Sequence, residues 1–505
     1  MPVESAHMGS HEVAVIGAGP AGSAAARLLA AWGHDVVLIH RHEATRRTLA
    51  ESIPPSCRKL LAAIGVLERI DAAGFLRSSG NTVWWGTSEP RVELFRDGEG
   101  YQVERGAFAD LMRASAIDAG TELIETTARD VTPMRGSARI ALASEPGGPG
   151  ELEARFVLDC SGRAGVIARR GWREEVAAQP RTVALVASWR RAGGWPGVEP
   201  THTVVESYGD GWAWSVPLDG EVRYVTAMVD PQRTELARGR PPLDVYRAEL
   251  NKAPHLCAAV AHAQLERGPW GCDASTYRAR TAARDPVLLV GDAASFIDPL
   301  SSFGIKKAMA SAWLAAVAVH TSLRRPSMTE AALEFFAARE AEMAAALIEQ
   351  TRAHFAQGAA AHASAFWADR AASLDLPSTK EPDVRVLRDD PRVQRAFAAL
   401  KAQPAVAFRR GAALRVEPRP VIRGNEIVLE DRLFTPDLRE GVRFLRDVDA
   451  CGLLALAAAH HDVPALFESY NKRHPPVALP DFLGAISVMR AFGVLDDRNE
   501  NENQK

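Results

Sequence analysis

Short aliphatic and β-branched runs alternate along most of the chain with stretches where alanine and leucine recur at helical spacing, which predicts an α/β fold. Residues 12–16 (Glu-Val-Ala-Val-Ile) and 35–40 (Asp-Val-Val-Leu-Ile-His) read as buried strands, with an Ala/Leu-rich helix between them that ends near Trp32. Residues 155–160 and 287–290 are further apolar strands. Runs at 182–191, 202–207, 212–217 and 222–229, with turn residues between them, suit an antiparallel sheet. Helical spacing occupies 304 to about 321 and 329 to about 372. Near the C-terminus, 415–429 reads as a hairpin turning at Arg423-Gly424-Asn425, followed by helical runs at 440–460, 463–474 and 480–493. The polar tail, 499–505, is expected to be disordered.

Composition narrows the classes. With 505 residues, 47% of them hydrophobic, the chain has material for large cores and is not disordered as a whole. Its 60 Lys+Arg against 63 Asp+Glu leave a net charge of -3 and no long basic block, so nothing favours nucleic acid or an anionic membrane. The first 12 residues lack the apolar core of a secretory signal, and the most apolar helix, 312–319, is far short of a membrane span. A cytoplasmic protein is expected. Cys57, Cys160, Cys257, Cys272 and Cys451 lie too far apart for a zinc pattern or a disulfide framework, so no metal is expected and each reads as a buried apolar thiol.

The chemistry starts at Gly17-Ala18-Gly19-Pro20-Ala21-Gly22, between the first strand and the first helix. Gly17 lets the chain turn, Gly19 leaves room for a pyrophosphate, and Gly22 lets the helix pack on the strand. The helix N-terminus then presents N–H groups and its positive dipole end to phosphate. The second strand ends in His40 where an acid often meets the adenosine ribose, with Glu43 three residues on, so either His40 or Arg41 makes that contact or the register is shifted. Two later segments select FAD over a nicotinamide dinucleotide. One strand runs into Asp159-Cys160-Ser161-Gly162, and another ends in Gly291-Asp292, whose carboxylate can accept from a ribityl hydroxyl that only the flavin has. Pro299 and Gly304 then shape a turn that aims the next helix, starting at Gly304-Ile305, at the flavin edge where charge collects on reduction. There is no second GxGxxG unit, so NAD(P)H reduces the flavin in passing or a separate flavin reductase supplies the electrons.

Together these motifs resemble the flavin-dependent halogenase-like superfamily, built on the aromatic-hydroxylase type of FAD fold. The likeness covers about residues 12–350 and rests on 17–22, Ala50-Glu51-Ser52-Ile53-Pro54-Pro55, Val103-Glu104-Arg105, 159–162, Trp212-Ala213-Trp214-Ser215-Val216-Pro217 and 291–305. It implies a Rossmann-like, glutathione-reductase-type FAD domain over 11–380, with an antiparallel-sheet substrate domain inserted at about 78–100 and 175–280. A mostly helical, winged-helix-like module at 381–498 would follow, as a docking domain or a cap. It also implies that Ser52, Ile53 and Arg105 lie along FAD, that Trp212 and Trp214 line the passage beside it, and that Pro299, Phe303 and Gly304 stand at the catalytic end. For the two tryptophans core packing is the competing reading, since alternate residues on a strand share a face. Trp84 and Trp85, being adjacent, must point to opposite faces.

The halide machinery of that superfamily departs from its pattern here. Its lysine, set in Lys-x-Gly-Ala, corresponds to Ser78 in Leu76-Arg77-Ser78-Ser79-Gly80-Asn81, and serine cannot form a haloamine or donate as an ammonium does. The Glu-Ser-Thr-Gly of the tryptophan halogenases is Ser301-Ser302-Phe303-Gly304, which lacks both carboxylate and threonine and puts Phe303 where halide would sit. The chain is therefore similar to a non-halogenating branch, the flavoproteins that modify tryptophan during maturation of tryptophylquinone enzymes of the lysine-oxidase and glycine-oxidase types. The implied activity is that of an FAD-dependent monooxygenase hydroxylating an aromatic ring, tryptophan or indole, through a flavin C4a-hydroperoxide formed from O2. Its partners would be an aromatic small molecule or a Trp-bearing peptide or protein, and a flavin reductase. A halogenase with a rearranged site and a non-catalytic flavin-binding adaptor are the alternatives. His202, His255 and His320 are candidate bases by residue type alone.

Overall fold

The computed structural model describes residues 9–41, 48–143, 150–175, 180–301, 303–372 and 389–497. It separates into two compact units, 1–377 and 378–505. In the first, the predicted βαβ element forms: β1 (Gly9–Ile16) pairs in parallel with β2 (Val36–His40), and α1 (Pro20–Ala31) joins them. On the other side of β1 lies β11 (Glu151–Asp159), with Ile16 opposite Asp159. The full sheet runs β19 (Ala283–Arg284), β20 (Val287–Leu289), β11, β1, β2 and β8 (Glu122–Glu125), extended by β9 (Ala128–Met134) and β10 (Ser137–Leu142). Its central strands are continuous apolar runs because they are buried on both faces, so no alternation survives.

A three-stranded sheet, β3 (Ala50–Ile53), β7 (Gly100–Glu104) and β4 (Leu76–Ser78), follows the nucleotide fold, with α2 (Arg58–Ile64) and α3 (Leu67–Ala72) between β3 and β4 and α4 (Arg105–Asp118) after β7. A second small sheet joins β12 (Arg173–Glu175), β18 (Tyr277–Ala279) and β21 (Ser295–Phe296). The large second sheet orders β17 (Gln264–Asp273), β13 (Val183–Arg190), β16 (Val222–Val229), β15 (Gly211–Pro217), β14 (Thr203–Tyr208), β5 (Gly80–Trp84) and β6 (Arg91–Leu94). It is antiparallel except where β14 meets β5 in parallel. One face packs against α5 (Pro242–Leu250) and α6 (Pro254–Val260); the other carries an aromatic cluster shared with α8 (Thr329–Ala361) and α9 (Ala365–Ala371). Between them in sequence, α7 (Gly304–Arg324) packs on α1 and α8.

The second unit holds a helix at Pro391–Ala402, the predicted hairpin as Arg415–Arg423 and Glu426–Thr435, and helices at Ala450–Ala457, Val463–Arg473 and Leu479–Ala491 around a core that includes Leu453, Leu466, Tyr470 and Phe482. The helix expected from 440 starts only at Ala450. Residues 438–442 pair with the hairpin instead, Gly441 and Arg446 adopt positive φ, and the Asp449 carboxylate caps the helix through Cys451 N and Gly452 N. The tail at 499–505 and the start of the C-terminal module, 381–388, lie outside the described residues. Cys57 and Cys160 are buried as expected; Cys257, Cys272 and Cys451 are only half-buried, because Leu256 and Val260 face the core from Cys257's helix, Cys272 lies on the outer strand β17, and Ala450 and Leu453 face the core from Cys451's helix. Among the described residues no helix is long and apolar enough to cross a membrane, and no group of three His, Cys, Asp or Glu could hold a metal ion.

Candidate active site

The glycines of 17–22 divide their work by geometry. Gly17 has φ +101, and a Cβ there would sit 2.6 Å from Cys160 O; at Gly22 a Cβ would sit 1.8 Å from Gly17 O, so α1 can lie against the turn only without side chains. At Gly19 a Cβ would meet no protein atom within 4 Å. Space is therefore left open where α1 begins, and no side chain caps that helix, with Pro20 and Ala21 buried in its first turn. Uncapped N–H groups beside an open space form an anion cradle.

Asp159 and Ser161 shape the neighbouring turn from inside. The buried Asp159 carboxylate accepts from Ser161 N (3.1 Å), Ser161 Oγ (2.5 Å), Ile167 N (2.8 Å) and Ala168 N (3.2 Å), and Ser161 Oγ accepts from Val166 N. With those bonds made, the segment presents backbone, and Gly162 at φ +63 turns it away. At the end of β2, His40 is half-buried and meets Arg113 Nη1 of α4 at 3.3 Å, while Arg41 is exposed. Arg113 was not legible beforehand, because only the packing of α4 brings it there.

Three charged side chains converge next to the cradle. Arg105 Nε lies 3.3 Å from Glu51 Oε1, and the field of Asp292 acts on both. Burial in the protein mass pushes the Glu51 carboxyl up despite the attraction of Arg105, yet the Arg105 side chain is 44% accessible, so the pair faces an open cleft. Ser52 is half-buried beside them; Ile53 is fully buried and points into the core. Gly291 (φ +64) wedges between Ala21 of α1 and Ala308 of α7, and a Cβ on Gly304 would approach Glu51 Oε2 at 3.9 Å. The starts of α1 and α7, β3 and the 291–292 turn thus border one cleft. Like α1, α7 begins uncapped, with Phe303 half-buried, Gly304 exposed and Ile305 buried. Pro299 is half-buried after the buried Asp298, whose carboxyl burial pushes up to about 6. Ser302 lies outside the described residues.

An aromatic wall adjoins this cleft. Trp212 (2% exposed) stacks on the half-buried Trp214 at 4.9 Å, and Trp85 meets Trp212 edge-on at 6.2 Å and Trp367 at 5.1 Å. Leu49, Ala50, Phe296 and Leu300 pack into the same cluster, which places it beside β3 and the 296–300 segment. Trp212 is thus a packing residue, and Trp214 is the more open of the two. Trp84 points to the opposite face and stacks on His255.

Ser78, which the resemblance sets against the halogenase lysine, is fully buried and uncharged. Its Oγ accepts from Gln102 Nε2 at 3.0 Å, and the same amide also reaches Thr201 O and Thr203 Oγ1. Arg77 does not replace the lysine, because its guanidinium is taken by Asp71 (2.8 Å) and the Tyr101 ring. The three candidate histidines are held elsewhere: His202 between Thr82 and Ser79, His255 on Trp84, and His320 against His34. His320 lies 16 residues along α7 from its start, about 24 Å away.

The cleft residues fit an FAD: an uncapped glycine cradle for pyrophosphate, Asp292 for a polyol and accessible Arg105 along the way. Comparisons agree. The tryptophan halogenase family model matches residues 88–408. The chain is 29% identical over 340 residues to a tryptophan 2-halogenase of Chondromyces crocatus, a match covering 65% of this chain and 64% of that protein. It is 28% identical over 360 residues to the flavin-dependent halogenase armH3 of Armillaria mellea, covering 65% and 71%. Among solved structures, the flavin-dependent halogenase CmlS superposes with a TM-score of 0.74 at 21% identity, covering 98% of this chain and 97% of that one. The peptidyl tryptophan dihydroxylase QhpG, essential for tryptophylquinone cofactor biogenesis, gives 0.66 at 23% identity, covering 95% and 98%. The chain belongs to the tryptophan halogenase family.

Proposed function

We propose that this protein is an FAD-dependent monooxygenase that hydroxylates an aromatic ring, tryptophan or indole, free or carried by a partner polypeptide. The observation that carries the reading is Ser78: a buried, neutral hydroxyl bound by Gln102 stands where the family's halide chemistry needs an ammonium, and the nearby Arg77 is engaged by Asp71. Phe303 at the start of α7 adds bulk where a halide would need donors. A structural relative that acts on peptidyl tryptophan, matched over nearly the whole chain, supports the choice of substrate.

The residues that would hold FAD are the 17–22 turn at the pyrophosphate, His40, Arg41 and Arg113 at the adenosine end, Ser52, Arg105 and Asp292 along the middle, and Gly304-Ile305 at the ring. Once reduced, the flavin supplies the means to activate O2; electrons come from NAD(P)H directly or through a flavin reductase. The chain's own part is positioning and exclusion. The wall of Trp85, Trp212 and Trp214 keeps water from one side, and Trp214 offers a ring face to an aromatic substrate. The uncapped start of α7 favours negative charge at the flavin edge. The curated relatives are halogenases, so halogenation is the second reading. Product analysis after turnover of the FAD-loaded enzyme with a reductase, O2 and a tryptophan-bearing peptide, with and without bromide, separates them. Equal product formation with and without bromide is expected; product that appears only with bromide overturns the proposal.

A further inference from the structure

Behind the cleft, on the side of the 291–295 turn away from the open space, two charged side chains are buried that the reading above does not use. Lys307, on the second turn of α7, is 4% exposed. Its ammonium donates to Gly291 O (3.1 Å), Asp292 Oδ1 (3.3 Å) and Ser295 O, so each of its three N–H groups is spent on one short turn. Four residues along the same helix face, Ser311 Oγ accepts from Gly291 N at 2.7 Å. From α8, Glu340 reaches the same place. It is 3% exposed, and the polar groups that act on it are Lys307 and the Ser311 hydroxyl.

We propose that Lys307 and Glu340 are a buried electrostatic pair that positions Asp292 and sets the reduction potential of the flavin. The inference rests on FAD occupying the cleft. Lys307 fixes the carboxylate expected to receive the ribityl chain, and its charge sits under the turn that borders the flavin. One serine hydroxyl does not offset the cost of a carboxylate at this depth, and burying one is costly unless its charge is used. Its effect on Lys307 is attractive, so it lowers the positive potential that the site feels. A charge near the flavin acts on gain of electrons directly, because reduction adds negative charge to the ring.

The two members therefore predict opposite signs, which a purely structural clamp does not. Midpoint potentials of the FAD-loaded full-length protein are measured at pH 8.5 for wild type, Lys307→Met and Glu340→Gln, alongside FAD affinity. Lys307→Met is expected to shift the potential negative and weaken FAD by about tenfold or more, the loss of a charge-assisted hydrogen bond to Asp292. Glu340→Gln is expected to shift it positive while FAD affinity stays within about threefold. If Lys307→Met retains no flavin, the sign of the Glu340→Gln shift decides alone. An unchanged potential in Glu340→Gln, or shifts of the same sign in both, overturns the pair. Wild-type protein that fails to bind FAD overturns the flavin reading itself and this inference with it, and is seen before any variant is made.

Discussion

Replacing Gly22 by alanine puts a methyl carbon 1.8 Å from Gly17 O and 3.1 Å from Cys160 Cβ, the first well inside the 3.0 Å that real Cβ atoms keep. Either α1 retreats by roughly an ångström or the 17–19 turn deforms, and overpacking of this kind costs about 1–3 kcal/mol. Gly19→Ala is different. Its φ of -75° suits alanine and its methyl meets no protein atom within 4 Å, so the FAD-free fold should lose nothing. That methyl does occupy the space assigned to pyrophosphate. Pushing the phosphates off the α1 amides forfeits charge-assisted hydrogen bonds, about 1.5–3 kcal/mol, or roughly 10- to 100-fold in Kd. Thermal unfolding of FAD-free protein and titration of flavin fluorescence read the two effects separately. Gly22→Ala should lower the Tm by several degrees and weaken FAD as a consequence; Gly19→Ala should leave the Tm of FAD-free protein unchanged and still weaken FAD. A Gly19→Ala protein that binds FAD like wild type, or that is destabilised as much as Gly22→Ala, would refute the cradle.

Three further outcomes follow from packing and charge. Trp367 is fully buried, donates from Nε1 to Tyr208 O and covers Gly358, so Trp367→Ala should cost about 3–5 kcal/mol in a urea unfolding series, and Trp367→Phe clearly less. Asp71 is held well below the usual carboxylate range by the Arg58 hydrogen bond, with Tyr101 and Arg77 adding to it. Its stabilisation is present above the unfolded pKa of about 3.9 and lost as pH falls below that; the pair is partly exposed, so Asp71→Asn should remove only about 1 kcal/mol near neutral pH and flatten the acid limb of the stability curve. Glu340 behaves oppositely. Burial pushes its carboxyl up to about 7, so the folded state binds the proton more tightly than the unfolded chain and stability falls as pH rises from about 4.5 to 7. Glu340→Gln should match wild type at the acid end and exceed it by about 3 kcal/mol above pH 7; equal pH profiles would contradict the assignment.

The nucleotide half of the fold was legible because its signals are local: a β-branched run, glycines at fixed offsets and a helix, all within 40 residues. Gly17, Gly19 and Gly22 carry their roles in spacing alone. The charged centre was only half legible. Glu51 sits within the Ala50–Pro55 motif, but its pairing with Arg105 depends on β3 lying against β7, a contact between residues some 50 apart. Glu340 did leave a trace: it interrupts the stripe of Leu333, Phe336, Ala344 and Ile348 at helical spacing, where a charge has no reason to stand unless something buried answers it. Lys307 left none, since α7 is buried nearly all round and no polar face marks the exception. The helix expected from 440 failed because a glycine turn and a capping aspartate, Gly441 and Asp449, outweigh the apolar spacing around them.

The central claim, oxygen transfer rather than halogenation, is tested most directly by a single turnover. The FAD-loaded protein, chemically reduced without a reductase, is mixed with 18O2, bromide and a tryptophan-bearing peptide, and intact peptide masses are read before and after. The account predicts a gain of one 18O atom, the other oxygen of O2 leaving as water, with no bromine isotope pair. A bromine doublet on the peptide, with no 18O incorporated, would contradict it.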